Sequence, residues 1–143
     1  MIAVDTNILV YSHRKEMPLH LQSLRVVEQL ISDTSSWAIP WPCLHEFIAV
    51  VTNPKIFKTP TPLKIAFDVM RCWSQGSNMY ELSEGDGYLE ILETIAKPTA
   101  LSGAKIHDAR VAAICLHHGI LEFWSCDRDF SLFPKLKTRN PLV

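Results

Sequence analysis

The chain lacks the features that would place it outside the ordinary globular class. Its 143 residues include only 5 glycines and 4 cysteines, with 48% hydrophobic and 20% charged residues, which excludes collagen-like, disulfide-rich and disordered proteins. No segment approaches the ~18 consecutive apolar residues of a membrane span, and the N-terminus has neither the charged start nor the apolar stretch of a signal peptide. We therefore expect a soluble cytoplasmic protein, without membrane contact, that forms one domain over residues 1–143.

Two compositional signals of specific chemistry are also missing. The four cysteines include no CxxC pair, so we expect reduced, mostly buried thiols and neither a zinc site nor a functional cysteine. The net charge is −1, whereas many nucleic-acid-binding proteins are strongly basic. Composition alone therefore indicates no particular substrate.

Short apolar segments alternate with helical patterns along the chain. Strands are predicted at residues 2–4, 37–39, 79–82 and 122–125, and helices at 24–31, 42–51, 63–73, 88–95 and 105–116. The last helix is expected to bury one narrow stripe of side chains. This alternation predicts an α/β sandwich with a short, mostly parallel central sheet flanked by helices.

Two predicted strands end at an aspartate. Asp5 follows the first strand and precedes a polar pair, Thr6 and Asn7, which we expect to open a loop, whereas Asp127 follows the last strand. In parallel sheets, binding sites form beyond the carboxyl ends of the strands. We therefore expect Asp5 and Asp127 at the same edge of the sheet.

Two further acids, Glu46 and Asp108, lie within apolar helical segments, and Asp5 and Asp127 directly follow apolar strands. We therefore expect all four acids in apolar surroundings. A single acid is most simply a turn, cap or surface residue, but an unpaired charge in apolar surroundings is costly to bury. Two carboxylates about 4 Å apart repel by roughly 4 kcal/mol at an effective dielectric constant of 20, so converging acids need a counter-charge. A divalent cation that prefers oxygen ligands, Mg²⁺ or Mn²⁺, would supply it.

Four segments together resemble the motifs of PIN domains. They are VDTNILV at 4–10, HEF at 45–47, IHDA at 106–109 and SCDRDF at 125–130. Each is weak alone, but all four occur in the family's order and span almost the whole chain, which makes the match specific. The chain resembles PIN-domain ribonucleases and, among them, VapC-type toxins of VapBC toxin–antitoxin pairs.

The resemblance implies a PIN-like α/β/α sandwich and a Mg²⁺- or Mn²⁺-dependent endoribonuclease. The acids that would be catalytic and hold the metal are Asp5, Glu46, Asp108 and Asp127. The residues that would support them are Thr6, Asn7 and Ser125, by hydrogen bonds, together with Asp129, which would either fix the following loop or contact the metal. The resemblance also implies an RNA substrate, a small antitoxin partner and a homodimer.

The tryptophans allow more than one interpretation. Trp37 and Trp124 lie in predicted strands and are expected in the core. Trp41 and Trp73 would either pack internally, stack on unpaired bases, or belong to a surface for a second copy or an antitoxin.

Competing families fit less well. A haloacid-dehalogenase-type phosphatase needs a second aspartate where Asn7 stands, and a receiver domain needs an acidic neighbour beside Asp5. Two alternatives remain within the PIN reading: a nuclease of RNA processing or decay, and a module that binds RNA or protein without cleaving. The presence of all four acids favours cleavage.

Overall fold

The protein folds around a parallel β-sheet. The computed structural model describes residues 1–76 and 78–143. The strands in this part of the chain are β1 (Ile2–Val4), β2 (Trp37–Pro40), β3 (Met79–Leu82), β4 (Glu122–Trp124) and β5 (Thr138–Arg139). Their spatial order is β3-β2-β1-β4-β5, and each neighbouring pair is parallel. The predicted α/β class with a mostly parallel sheet is confirmed.

Helices make the connections that parallel strands require. They are α1 (Thr6–His13), α2 (His20–Ser32), α3 (Trp41–Val51), α4 (Leu63–Ser74), α5 (Tyr88–Ala96) and α6 (Ile106–His117), with short 3₁₀ turns at Lys97–Thr99, Gly103–Lys105 and Arg128–Leu132. The five predicted helices are confirmed, with shifted ends. No helix within residues 1–76 and 78–143 is both long and apolar enough to cross a membrane.

The core lies on both faces of the sheet. All four residues of β2 are buried, because helices cover a parallel sheet on each side. Trp37 is fully buried, as predicted, and Trp73 is also in the core, with its ring 4.8 Å from that of Phe47 in an edge-on arrangement. Trp124 is only partly buried, and Trp41 remains 40% exposed.

The prediction that a loop follows Asp5 is wrong. Helix α1 begins directly at Thr6, and Asp5 is its N-cap, with its side chain accepting a hydrogen bond from the backbone N–H of Thr6. Aspartate is a favoured N-cap residue. The helical period was hidden because α1 is buried on several sides, including Ile8, Leu9 and Val10 in succession.

Two further features differ from the prediction. Helix α6 buries a continuous segment from Val111 to Cys115 instead of one narrow stripe, because it packs against α5, α3 and β2. Strand β5 was missed because its two residues, which pair with β4 at the edge of the sheet, are too few to show a period-2 pattern.

The strand order creates a crevice beside β1. The chain runs outward from β1 to β2 and β3 on one side, and β4 and β5 lie on the other side. Ligands bind at such a switch point, beyond the carboxyl ends of the strands. Val4 pairs with Trp124, and the N–H of Asp5 donates to the carbonyl oxygen of Trp124 at 2.9 Å, so the segments after β1 and β4 lie side by side.

Candidate active site

A cleft of about 610 Å³ opens at this crevice. Four acids line it, one from each of the predicted motifs: Asp5 after β1, Glu46 from α3, Asp108 from α6 and Asp127 after β4. The structure thus places all four predicted acids in one cavity, although they are separated by up to 122 residues in the chain.

Asp5 is the buried acid of the cleft, at 7% exposure. Its Oδ1 accepts from the backbone N–H of Thr6 at 2.7 Å, and its Oδ2 accepts from Ser125 Oγ at 2.6 Å and from Asn7 Nδ2 at 3.3 Å. Burial raises the pKa of Asp5 from 3.8 to about 6, against the lowering effect of the Ser125 and Thr6 hydrogen bonds. The negative charge of Glu46 adds to the rise.

Thr6 links the segment that carries Asp5 to the helix that carries Glu46. Its hydroxyl lies 3.1 Å from Glu46 Oε2 and 3.4 Å from the carbonyl oxygen of Cys43. Since both acceptors belong to α3, this contact holds the start of α1 against the helix that carries Glu46. The geometry agrees with the supporting position predicted for Thr6.

Ser125 connects the segment that carries Asp5 to the loop that carries Asp127. Its hydroxyl donates to Asp5 Oδ2 and accepts from the backbone N–H of Asp127 at 2.9 Å. Asn7 reinforces the junction, because its Nδ2 lies 3.4 Å from Ser125 Oγ and its Oδ1 accepts from the N–H of Cys126 at 3.3 Å. The loop after β4 is therefore held in register with Asp5.

The three acids that lie closest to one another are not all among the four that the motifs predicted. Asp108, Asp127 and Asp129 each have a carboxylate oxygen within 4.8 Å of the others, and Asp5 and Glu46 do not belong to this group. Asp129 therefore lies closer to the other acids than a purely supporting residue needs to. Its Oδ2 is also 3.8 Å from Lys105 Nζ.

The electrostatics of Asp108 follow from this crowding. Burial raises the pKa of Asp108, and the charges of Asp127, Asp129 and Glu46 raise it further, whereas Lys105 lowers it. The expectation that all four acids sit in apolar surroundings is wrong in part, because Glu46 and Asp127 are exposed. Exposure at the open side of the cleft leaves these two free to contact a ligand.

The residues present fit a divalent cation. The group of three acids contains only carboxylates, the oxygen ligands that Mg²⁺ and Mn²⁺ prefer. Lys105 makes the one ion pair to these three acids in the described part of the chain, so most of their charge has no protein counter-charge. A bound cation would relieve the repulsion that raises the pKa of Asp108.

Comparison with known proteins agrees with this arrangement. A family model described as PIN domain matches residues 2–136. The chain belongs to the PIN-domain family. This PIN domain is 31% identical over 142 residues to Ribonuclease VapC43 of Mycobacterium tuberculosis, covering 99% of the chain and 96% of that relative.

Solved structures share the PIN fold with this chain. Its fold matches VapBC2 of Rickettsia felis, solved with a promoter DNA fragment, with a TM-score of 0.69, 17% identity and 98% coverage of each chain. It also matches a toxin–antitoxin complex from Klebsiella pneumoniae with a TM-score of 0.61, 17% identity and coverage of 99% and 98%. At these identities, the likeness concerns the fold.

Sequence reasoning did not single out Cys43 and Tyr11, which lie close to the acids of this PIN domain. All four cysteines are free, as expected, but they are not mostly buried, because only Cys43 and Cys115 are. The Cys43 thiol donates to Asp5 Oδ1 at 3.5 Å, so it contacts the site. Tyr11 lines the cleft beside Asn7. Cys43 could have been found from helical spacing, because it lies three residues before Glu46 in a predicted helix. Tyr11 could not, because α1, which carries it, was not predicted as a helix.

Proposed function

We propose that this chain is a metal-dependent endoribonuclease that hydrolyses RNA phosphodiester bonds and acts as the toxin of a toxin–antitoxin pair. The observation that carries the proposal is the convergence of Asp5, Glu46, Asp108 and Asp127 on one cleft at the switch point of a PIN fold. The VapC ribonuclease relatives, matched over nearly their whole length, support the same activity.

The acids would hold one or more Mg²⁺ or Mn²⁺ ions. Asp108 and Asp127, with Asp129 in reach, would ligate directly, Glu46 would complete the open side, and Asp5 would bind from beneath the cleft. A bound cation would activate a water molecule and stabilise the charge that develops on the phosphate. The protein's own hydrogen bonds would keep the ligands oriented, chiefly Ser125 to Asp5 and Thr6 to Glu46.

A small antitoxin is the proposed partner. Support comes from the fold shared with the toxin–antitoxin complex of Klebsiella pneumoniae. A short gene next to this one would encode the antitoxin, and its product should co-purify with the chain and inhibit RNA cleavage. The homodimer and the cytoplasmic location remain predictions from the family resemblance and the composition.

The activity test compares acid-to-amide variants in and outside the cleft. The full chain, Asp5→Asn and Asp108→Asn are incubated with structured and single-stranded RNAs in Mg²⁺, in Mn²⁺ and with chelator. Asp86→Asn is the matched control, because Asp86 is exposed and does not line the cleft. We expect cleavage by the wild type and the control in metal only, and none by the two cleft variants.

The outcomes separate the proposal from its alternatives. Cleavage that persists in chelator would refute the metal requirement, and cleavage retained by Asp5→Asn and Asp108→Asn would refute the assigned site. RNA binding without cleavage under any of these conditions would instead favour a non-cleaving module.

A further inference from the structure

One wall of the cleft is apolar and carries none of the acids. It is formed by Tyr11 from the end of α1, Met17 from the following turn, Val50 from α3, and Ile56 and Phe57 from the segment between α3 and α4. Ile56 is 54% exposed, so its side chain is accessible to a ligand in the cleft. We call these five residues the apolar wall.

The apolar wall is held in place from behind. The Arg14 guanidinium lies over the Phe57 ring at 4.1 Å from its centroid, and Arg14 is only 8% exposed. The same guanidinium donates to Thr61 Oγ1 at 2.9 Å and to the carbonyl oxygen of Thr59 at 2.7 Å. The segment after α3 is therefore tied to the end of α1, and the wall is formed before any ligand binds.

Tyr11 supplies a polar group at the boundary between the apolar wall and the acids. The Tyr11 hydroxyl has no hydrogen-bond partner among residues 1–76 and 78–143, whereas the backbone carbonyl oxygen of Tyr11 lies 2.8 Å from His20 Nδ1. Burial raises the pKa of Tyr11, and charges at Cys126 and Asp5 raise it further. The phenol therefore keeps its proton at neutral pH, and Tyr11 and Asp5 line the same cleft.

We propose that the apolar wall binds one unstacked nucleobase of the RNA next to the scissile phosphate, with the Tyr11 hydroxyl donating a hydrogen bond to that nucleotide. This inference rests on the proposed function. It narrows the substrate to RNA whose bases at the cleavage position are unpaired, because a base in a duplex cannot leave its stack to reach a cleft wall without breaking its pair.

The chemistry of the cleft favours a base as the occupant. A phosphate held at the acids by a bound cation would bring its ribose and base to the same cleft, and the apolar wall carries no charged side chain. A base face matches such a wall, since stacking and apolar contact need no charge and tolerate different bases. A phosphate would not match it, because Arg14 is buried and already hydrogen-bonded to Glu16, Thr59 and Thr61.

The test measures base binding without requiring cleavage. Calorimetry in Mn²⁺ compares AMP, CMP, GMP and UMP with ribose 5-phosphate, which has the sugar and phosphate but no base. We expect at least one nucleotide to bind roughly 5- to 100-fold more tightly than ribose 5-phosphate, as for a base stacked on a protein surface. Ile56→Ser should remove most of this preference for the nucleotide over ribose 5-phosphate. Tyr11→Phe should weaken nucleotide binding roughly 2- to 10-fold.

Matched controls distinguish the wall from the rest of the surface. Leu121→Ser removes a similarly exposed aliphatic side chain outside the cleft, and Tyr80→Phe removes the hydroxyl of an exposed tyrosine on β3. Both should bind the nucleotides as the wild type does. Because Ile56 and the Tyr11 hydroxyl contribute little to the core, the test variants should fold normally.

The results also separate this proposal from the proposed function. Nucleotides that bind no better than ribose 5-phosphate, or do not bind at all, would overturn the base site even if RNA is cleaved. A base preference that Ile56→Ser leaves unchanged would overturn it as well, and so would loss of antitoxin binding by Ile56→Ser without any effect on nucleotides. A base preference lost in Ile56→Ser, together with absent RNA cleavage, would support the site and refute the nuclease.

Discussion

Replacing Asp5 with asparagine should stabilise the metal-free protein at neutral pH while abolishing RNA cleavage. The reason is the position of this carboxylate, which is 7% exposed and has no cationic partner among its hydrogen-bonding contacts. Asparagine has the same shape and retains a side-chain oxygen that can accept from the N–H of Thr6. The variant therefore removes the charge and keeps most of the packing.

The magnitude follows from the pKa of Asp5. Burial raises it from 3.8 to about 6, and each pKa unit corresponds to about 1.36 kcal/mol, so ionised Asp5 costs about 3 kcal/mol in the folded state. Below pH 3.8 the carboxyl is neutral in both states and this cost is absent. Between pH 3.8 and about 6 the unfolded chain has lost this proton while the folded protein still holds it, so stability falls over this range and levels off above it.

The assay is urea unfolding of the wild type and Asp5→Asn in chelator, near pH 4 and near pH 7.5, followed by tryptophan fluorescence. The quantity of interest is the difference between the two proteins in free energy of unfolding. The free energy of unfolding of Asp5→Asn, relative to that of the wild type, should be higher at pH 7.5 than at pH 4 by up to about 3 kcal/mol. Groups that do not interact with Asp5 cancel in this difference. Tyr11, Cys43, Cys115 and Cys126, which sense the Asp5 charge, stay neutral over this range because their pKa values are raised above their ordinary ones. Glu46, whose charge adds to the rise of the Asp5 pKa, contributes part of the shift.

The control is Asp86→Asn, whose difference from the wild type should be independent of pH because Asp86 is exposed. A difference between Asp5→Asn and wild type that stays constant with pH would refute the reasoning. So would a shift that favours the wild type at the higher pH, since ionised Asp5 would then be stabilised by the fold.

Two other outcomes test the metal site and the apolar wall. Saturating Mn²⁺, at about 100 times its dissociation constant, should raise the free energy of unfolding by roughly 2.7 kcal/mol, and an unchanged melting temperature would contradict the metal site. Arg14→Ala should cost at least about 2 kcal/mol in urea unfolding, because it removes charged hydrogen bonds to Thr61 and Thr59. Glu16→Gln, which alters the exposed partner, should cost much less than Arg14→Ala, and equal costs would contradict this account.

Elements with a clear local pattern were predictable from the sequence. β2 is a short apolar run before a proline, and the helix that follows it has apolar residues at helical spacing, so both were expected where they occur. α1 and β5 were not, because each lacks a periodic pattern. α1 is buried on several sides, and β5 has only two residues whose pairing with β4 is a long-range contact.

The candidate site, like the fold, was predictable from the sequence only in part. The four acids were found through the motifs around them, whereas their burial was predicted correctly only for Asp5 and in part for Asp108. Burial depends on which elements pack over a residue, and a run of apolar neighbours in sequence does not reveal this. The contact of the Cys43 thiol with Asp5 and the approach of Asp129 to Asp108 likewise depend on how α3, α6 and the loop after β4 meet.

The sequence by itself determined the alternation of strands and helices and the identity of the acids, because these depend on residues only a few positions apart. The tertiary structure decided the strand order that places β4 beside β1 and so brings Ser125 within 2.6 Å of Asp5. It also decided which acid is buried and which face of the cleft is apolar. Those properties arise from contacts between distant segments, whose free energies are set by packing and desolvation in the folded chain.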